Sequence, residues 1–172
     1  NDWTDLSNKK LLPYEISKTK SEKKMWDMAN KSSINACAIN PVLVLGPSMS
    51  GILSMSNRLT IKKIFSLPVV PDVSISVVGV QDVAEAHVMA MENENANGKR
   101  FLLSEKTIKL KDLSNILKSA GFKKVPTLVI PNFLLKFVAL FTPSLKMIAK
   151  RLGKEEKLYT TNANNVLGWY PN

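Results

Sequence analysis

The sequence predicts an α/β fold, in which a mainly parallel sheet covered by helices is followed by a smaller, mostly helical lobe. Three observations carry that expectation. Residues 14–30 contain no glycine or proline behind Pro13, and proline suits a first helical turn, where its missing N–H goes unused. Ile34 to Leu45 is nearly continuously apolar and closes on Gly46-Pro47, as a strand covered on both faces would be. Val73 to Val80 then reads as a second short strand running straight into a helix.

In chain order, residues 1–12 form a polar approach segment with Trp3 and Leu11-Leu12 as possible anchors. On the first helix, Met25, Trp26 and Ala29 continue a side shared with Tyr14, Lys18 and Glu22, predicted to pack inward or on a partner. Gly46 to Ser54 is a loop beyond a strand's carboxyl end, where open α/β sheets bind ligands. A helix over Asn57–Leu67 and a turn over Pro68–Asp72 lead to the second strand. Asp82 is expected to cap the next helix, its carboxylate accepting free N–H groups. Val83, Ala86 and Ala90 make that helix's apolar stripe, and His87 beside it reads as packed or half-exposed.

Asn97-Gly98 turns into a strand from Arg100 to Leu103. Leu110, Leu113, Ile116, Leu117 and Ala120 mark an amphipathic helix ended by Gly121. Pro126 and Pro131 bound an extended link. Asn132 to Phe141 is apolar nearly all round but too short to span a bilayer; it reads as a buried helix by default, or else as a wall of the substrate pocket or a membrane-surface or partner contact. Ser144 to Leu152 reads as a basic amphipathic helix, and a last short helix precedes Gly168-Trp169. The predicted units are residues 1–104, with an inserted substrate-loop segment at 46–72, and the lobe 105–172.

Composition narrows the function classes. The 172 residues suffice for one domain with a real core, and 45% hydrophobic with 22% charged residues is globular usage. The formal charge of +10 could serve nucleic acid, an anionic membrane or a phosphate-bearing cofactor. Its lysines, however, are spread among acids and apolar residues, with no arginine-rich tract, zinc spacing or aromatic-glycine signature, so no nucleic-acid partner is expected. Cys37 is the one cysteine, which fits a reducing compartment, and no leader or membrane-spanning run is visible; a cytoplasmic location is expected.

Tyr14 and Lys18 are four apart, hence one turn apart on one helical face. A phenol titrates near pKa ~10, and a fixed ammonium beside it favours the phenolate, with about 1.4 kcal/mol for each unit. Such a pair can give a proton to a developing alkoxide or take one from an alcohol. By itself the spacing is common on helix surfaces. The longer order Tyr14-x-x-Ser17-Lys18-x-x-x-Glu22-Lys23, then Ile39-Asn40-Pro41-Val42-Leu43-Val44-Leu45-Gly46-Pro47, is more specific. With Val80 to His87 and the closing Leu167-Gly168-Trp169-Tyr170-Pro171, it resembles the extended short-chain dehydrogenase/reductase family, dihydroflavonol reductase-like branch.

The resemblance implies the C-terminal part of a Rossmann-type NAD(P)-binding fold and hydride transfer between a nicotinamide dinucleotide, NADP or NAD with NADP favoured, and a carbonyl or alcohol. It implies Tyr14 as general acid/base and Lys18 as the residue that lowers its pKa and holds the nicotinamide ribose. Pro41, Val42, Leu43 and Val44 would approach the nicotinamide, and Ser48 would lie near the cofactor phosphates and the substrate. A small-molecule carbonyl or alcohol substrate and a possible homodimer follow. The family's glycine-rich phosphate turn and its catalytic Ser or Thr have no counterpart in this chain, which reads as a piece of something longer; Ser17 lies on a neighbouring helical face and cannot replace the latter. Val42 stands where the family has Gly, and Gly79 and Gln81 where it has Asp and Arg. The piece is expected to be inactive alone, with the edge of the Ile34–Leu45 strand left bare. The alternative is a non-catalytic, degenerate member that binds a partner through 132–141.

Overall fold

The structure, a computed structural model, describes residues 3–9, 11–48, 51, 68–155 and 157–172. The helix predicted over Asn57–Leu67 and most of the 46–54 loop lie outside the described residues. Helix α1 (Pro13–Ser32) starts at proline, and the Leu12 N–H donates to the Glu15 carboxylate at 2.8 Å, satisfying a donor the helix leaves free. It ends on Ser33, whose φ of 53° is left-handed.

The strand predicted over Ile34–Leu45 is in fact two. β1 (Ala38–Pro41) pairs in parallel with β4 (Arg100–Leu103), and β2 (Leu43–Leu45) pairs in parallel with β3 (Ser74–Gly79). Val42 is the pivot. Its N–H still donates to the Leu103 carbonyl, where β4 ends, and the chain then changes sheets to find β3. Ile34 is exposed and precedes the strand. A short strand absent from the sequence expectation, β5 (Lys106–Lys109), pairs antiparallel with β3, so strand pairing crosses residue 104. Among the described residues β1 has a ladder partner on one side only.

Helix α2 (Val80–Glu92) covers this layer with Ala86 and Ala90, and Val83 packs beside them, as predicted. Asp82 does not cap it. The cap position is Gly79, and Asp82 lies inside the first turn, buried, with its carboxylate accepting from the backbone N–H of Asn172 at 3.1 Å. A Cβ at position 79 would run into that carboxylate, which accounts for glycine there. The core joins Val78, Phe101 and Leu103 to Ala163, Leu167 and Trp169, although the last three belong to the stretch expected to form the lobe. Trp169 is fully buried, and its indole N–H donates to the Asp82 carbonyl at 2.8 Å.

Among the described residues the remaining α-helices are α3 (Leu110–Ser119), α4 (Asn132–Phe141) and α5 (Pro143–Arg151), with a 3-10 turn at Glu94–Ala96 and a π-type turn at Ala163–Leu167. α3 buries Leu110 and Ser114, while Ile116 of its predicted apolar stripe is exposed. The expectation of burial for α4 is overturned. Only Leu135 and Ala139 are buried, and Phe133, Phe137 and Phe141 are 75%, 60% and 76% exposed. α4 packs chiefly on α5, and one neighbour cannot cover a helix that is apolar on every side.

Candidate active site

Tyr14 and Lys18 are brought together as the spacing demands. The Lys18 ammonium lies 5.7 Å from the centre of the Tyr14 ring, within cation–π range. Both side chains are exposed, Tyr14 by 69%, so the side of α1 expected to pack inward or on a partner packs inward only beyond Lys18. The side that does pack runs through Thr19 and Ala29, with Glu22 and Trp26 half-buried between them.

α1 is fastened to the sheet by charge. Glu22 receives the Arg100 guanidinium on both carboxylate oxygens, Nε to Oε1 at 2.6 Å and Nη2 to Oε2 at 3.0 Å. The Trp26 indole N–H adds a 3.2 Å bond to Oε1. Partial burial works to raise the Glu22 pKa, but the bonds from Arg100 and Trp26, the guanidinium charge and a bond from Asn40 outweigh it. The carboxyl is held below the usual carboxylate range. Arg100 in turn lies 4.2 Å from the centre of the Trp3 ring, whose environment also includes the Lys23 ammonium at 5.3 Å. Trp3 is thus an anchor, held by cations rather than by burial. Glu22 was legible in the sequence but its partner Arg100 was not; nothing in the sequence pairs two residues 78 positions apart.

Lys18, Glu22, Ile39, Asn40, Arg100 and Trp3 border an open groove of about 480 Å³ on the α1 side of β1. Ile39 also borders a second groove, of about 470 Å³, on the α2 side, with Cys37, His87 and Met91. The two grooves flank the strand that has a partner on one side only. In the second, burial pushes the Cys37 thiol's pKa up, which favours the inert neutral form. His87 is exposed, and its Nδ1 lies 2.7 Å from the Val83 carbonyl within its own helix.

Of the predicted pair only Lys18 lines the α1-side groove; Tyr14 lies one turn before it, outside the lining, and Pro41 to Val44 and Ser48 follow along the chain without lining it either. Pro41 closes β1 and is exposed. Val42 and Val44 pack half-buried against the core, and Leu43 opens β2. Ser48 is half-buried in the following loop, and its carbonyl accepts from the Gly51 N–H at 3.2 Å. Gly46 precedes it with φ +151°, and a Cβ there would strike Val80, so the loop leaves β2 close over the start of α2. Among the described residues no cluster of His, Cys, Asp and Glu could hold a metal ion, and no helix is long and apolar enough to cross a membrane.

Residues 4–103 match the family model described as the NAD dependent epimerase/dehydratase family. The chain is 32% identical over 128 residues to cinnamoyl-CoA reductase CAD2 of Medicago truncatula, covering 74% of this chain and 38% of that protein. It is 28% identical over 142 residues to an anthocyanidin reductase of Vitis vinifera, covering 73% and 41%. The solved structure of Gre2 from Candida albicans in complex with NADPH superposes with a TM-score of 0.66 at 26% identity, over 98% of this chain and 50% of that one. The chain therefore spans about two fifths of the length of these curated relatives. Its two small, mainly parallel sheets and flanking helices are the C-terminal part of a Rossmann-type fold, and the chain belongs to the NAD dependent epimerase/dehydratase family, in its dihydroflavonol reductase-like branch.

Proposed function

We propose that the chain is the proton-transferring, substrate-facing part of an NAD(P)H-dependent reductase of small carbonyl compounds. The observation that carries this reading is the Tyr14–Lys18 pair, held one turn apart and open to solvent on a helix that borders the groove beside β1. A bound nicotinamide dinucleotide supplies or accepts the hydride. Tyr14 gives its phenolic proton to the oxygen that the hydride leaves negative, and the Lys18 ammonium stabilises the charge appearing on the phenol oxygen. The residues present suit the nicotinamide–ribose end of such a cofactor, since an exposed ammonium and a phenol can both bond ribose hydroxyls. Pro41 to Val44 and Ser48 are proposed to complete that contact. NADP is preferred over NAD because the relatives named above include one solved with NADPH.

The pyrophosphate turn and the Ser or Thr partner of Tyr14 are assigned to a part of the protein outside these 172 residues. The division into 1–104 and 105–172 is retained as a functional one, with 163–172 returning to the core of the first unit. A cytoplasmic location, a possible homodimer and the lack of nucleic-acid partners belong to the same proposal. The runner-up, a non-catalytic member that binds a partner through 132–141, is favoured by the exposure of Phe133, Phe137 and Phe141. The two readings part on hydride transfer: a carbonyl screen of the full-length protein should consume reduced nicotinamide, and no turnover would favour the runner-up. Titrating these 172 residues alone with NADPH should give no saturation. Micromolar binding would contradict the assignment of the phosphate site elsewhere.

A further inference from the structure

Glu22 stands one turn after Lys18, as Lys18 stands one turn after Tyr14. An ammonium between a phenol and a carboxylate, each four residues away, can reach either one. The carboxylate is the stronger attractor, because it carries a full charge and the ring only a quadrupole. Yet Lys18 lies over the Tyr14 ring, and the ion pair of Glu22 is with Arg100, 78 positions along the chain. The reason is visible in the bonding. Arg100 occupies both carboxylate oxygens in the fork geometry that only guanidinium provides, and the Trp26 indole adds a bond to Oε1.

We infer that Arg100 is a positioning residue for the Tyr14–Lys18 pair: by engaging the Glu22 carboxylate on both oxygens, it keeps Lys18 turned toward Tyr14. This rests on the reading of Tyr14 as the proton carrier. Arg100 from β4 is the cation paired with Glu22, Lys18 borders the same groove, and Lys23 is directed over Trp3. When Arg100 is removed, Lys18 is the cation on the same helical face that the half-buried carboxylate can recruit. The cost falls on the phenol, whose charge then develops without its ammonium.

The test is the rising limb of the pH profile of kcat/KM for alcohol oxidation in the full-length protein. Arg100→Met should move the rising limb up by about half a unit, about a threefold loss at a fixed pH on the limb. Arg100→Lys should move it the same way by less, since an ammonium cannot fork across both oxygens. Glu22→Gln with Arg100→Met should return the limb to its wild-type position, because the competing charge is gone. A limb that stays put in Arg100→Met, or one that the double variant fails to restore, overturns the inference and leaves Arg100 a merely structural tie. If Arg100→Met fails to fold, Arg100→Lys and the double variant carry the same comparison. Tyr14→Phe separates this from the underlying reading. Full activity in Tyr14→Phe overturns both, whereas loss there with an unmoved limb in Arg100→Met overturns the positioning role alone.

Discussion

The closing segment around Trp169 and the helix Asn132–Phe141 are both apolar and both aromatic, yet they meet opposite fates. Trp169 is fully buried, with its indole N–H bonded to the Asp82 carbonyl. Phe133, Phe137 and Phe141 stand in solvent on a helix that covers itself only with Leu135 and Ala139. The difference is not hydrophobicity but the number of surfaces available. Residues 163–169 return to a layer already built from β1, β4 and α2, where several elements converge on one side chain. Helix α4 has α5 as its main neighbour and offers apolar residues on more faces than that neighbour can cover. Apolar content states that burial is favourable; topology decides whether it happens.

Substitutions on the two segments should separate them. The largest effect is expected at Trp169: Trp169→Ala removes a fully buried aromatic ring and should cost about 3–5 kcal/mol, read by urea denaturation. Phe137→Ala, on the exposed face, should fall below about 1 kcal/mol in the same measurement. Equal losses would mean that the face of α4 is covered after all.

The next effect is electrostatic. Since the Glu22 carboxyl is held below the ordinary range, its pairing stabilises the fold fully above about pH 4–5, where the unfolded carboxylate is ionised. That stabilisation disappears as pH falls through the depressed folded value. Glu22→Gln should therefore lower stability by about 1–2 kcal/mol at neutral pH, between exposed and buried pairs, and the gap to wild type should close on acidification. A gap independent of pH would show that the pair contributes by shape alone.

Local order was well expressed in the sequence. The proline start of α1, the turn at Asn97-Gly98, strand β4 and the Ala86–Ala90 stripe each depend on neighbours in the chain, and each appears as expected. Non-local pairing was not. That Ile34–Leu45 divides at Val42 depends on where β4 ends and β3 begins, and neither lies within thirty positions of it. Strand β5, with its Lys-Thr-Ile-Lys sequence, has no hydrophobic run to announce it and exists because β3 offers it an edge. Asp82 has the chemistry of a helix cap, but its carboxylate answers to Asn172 at the other end of the chain. At the candidate site the same division holds: Tyr14 and Lys18 were legible from a spacing of four, whereas Arg100, which fastens their helix, was not.

The proposal turns on Tyr14 as the proton carrier for hydride transfer. Its most direct test is Tyr14→Phe in the full-length protein, with NADPH and a carbonyl substrate that the wild type reduces. Turnover should fall about 10²–10⁴-fold, the contribution of a positioned general acid, while NADPH affinity changes little. A variant that keeps wild-type kcat would contradict the account.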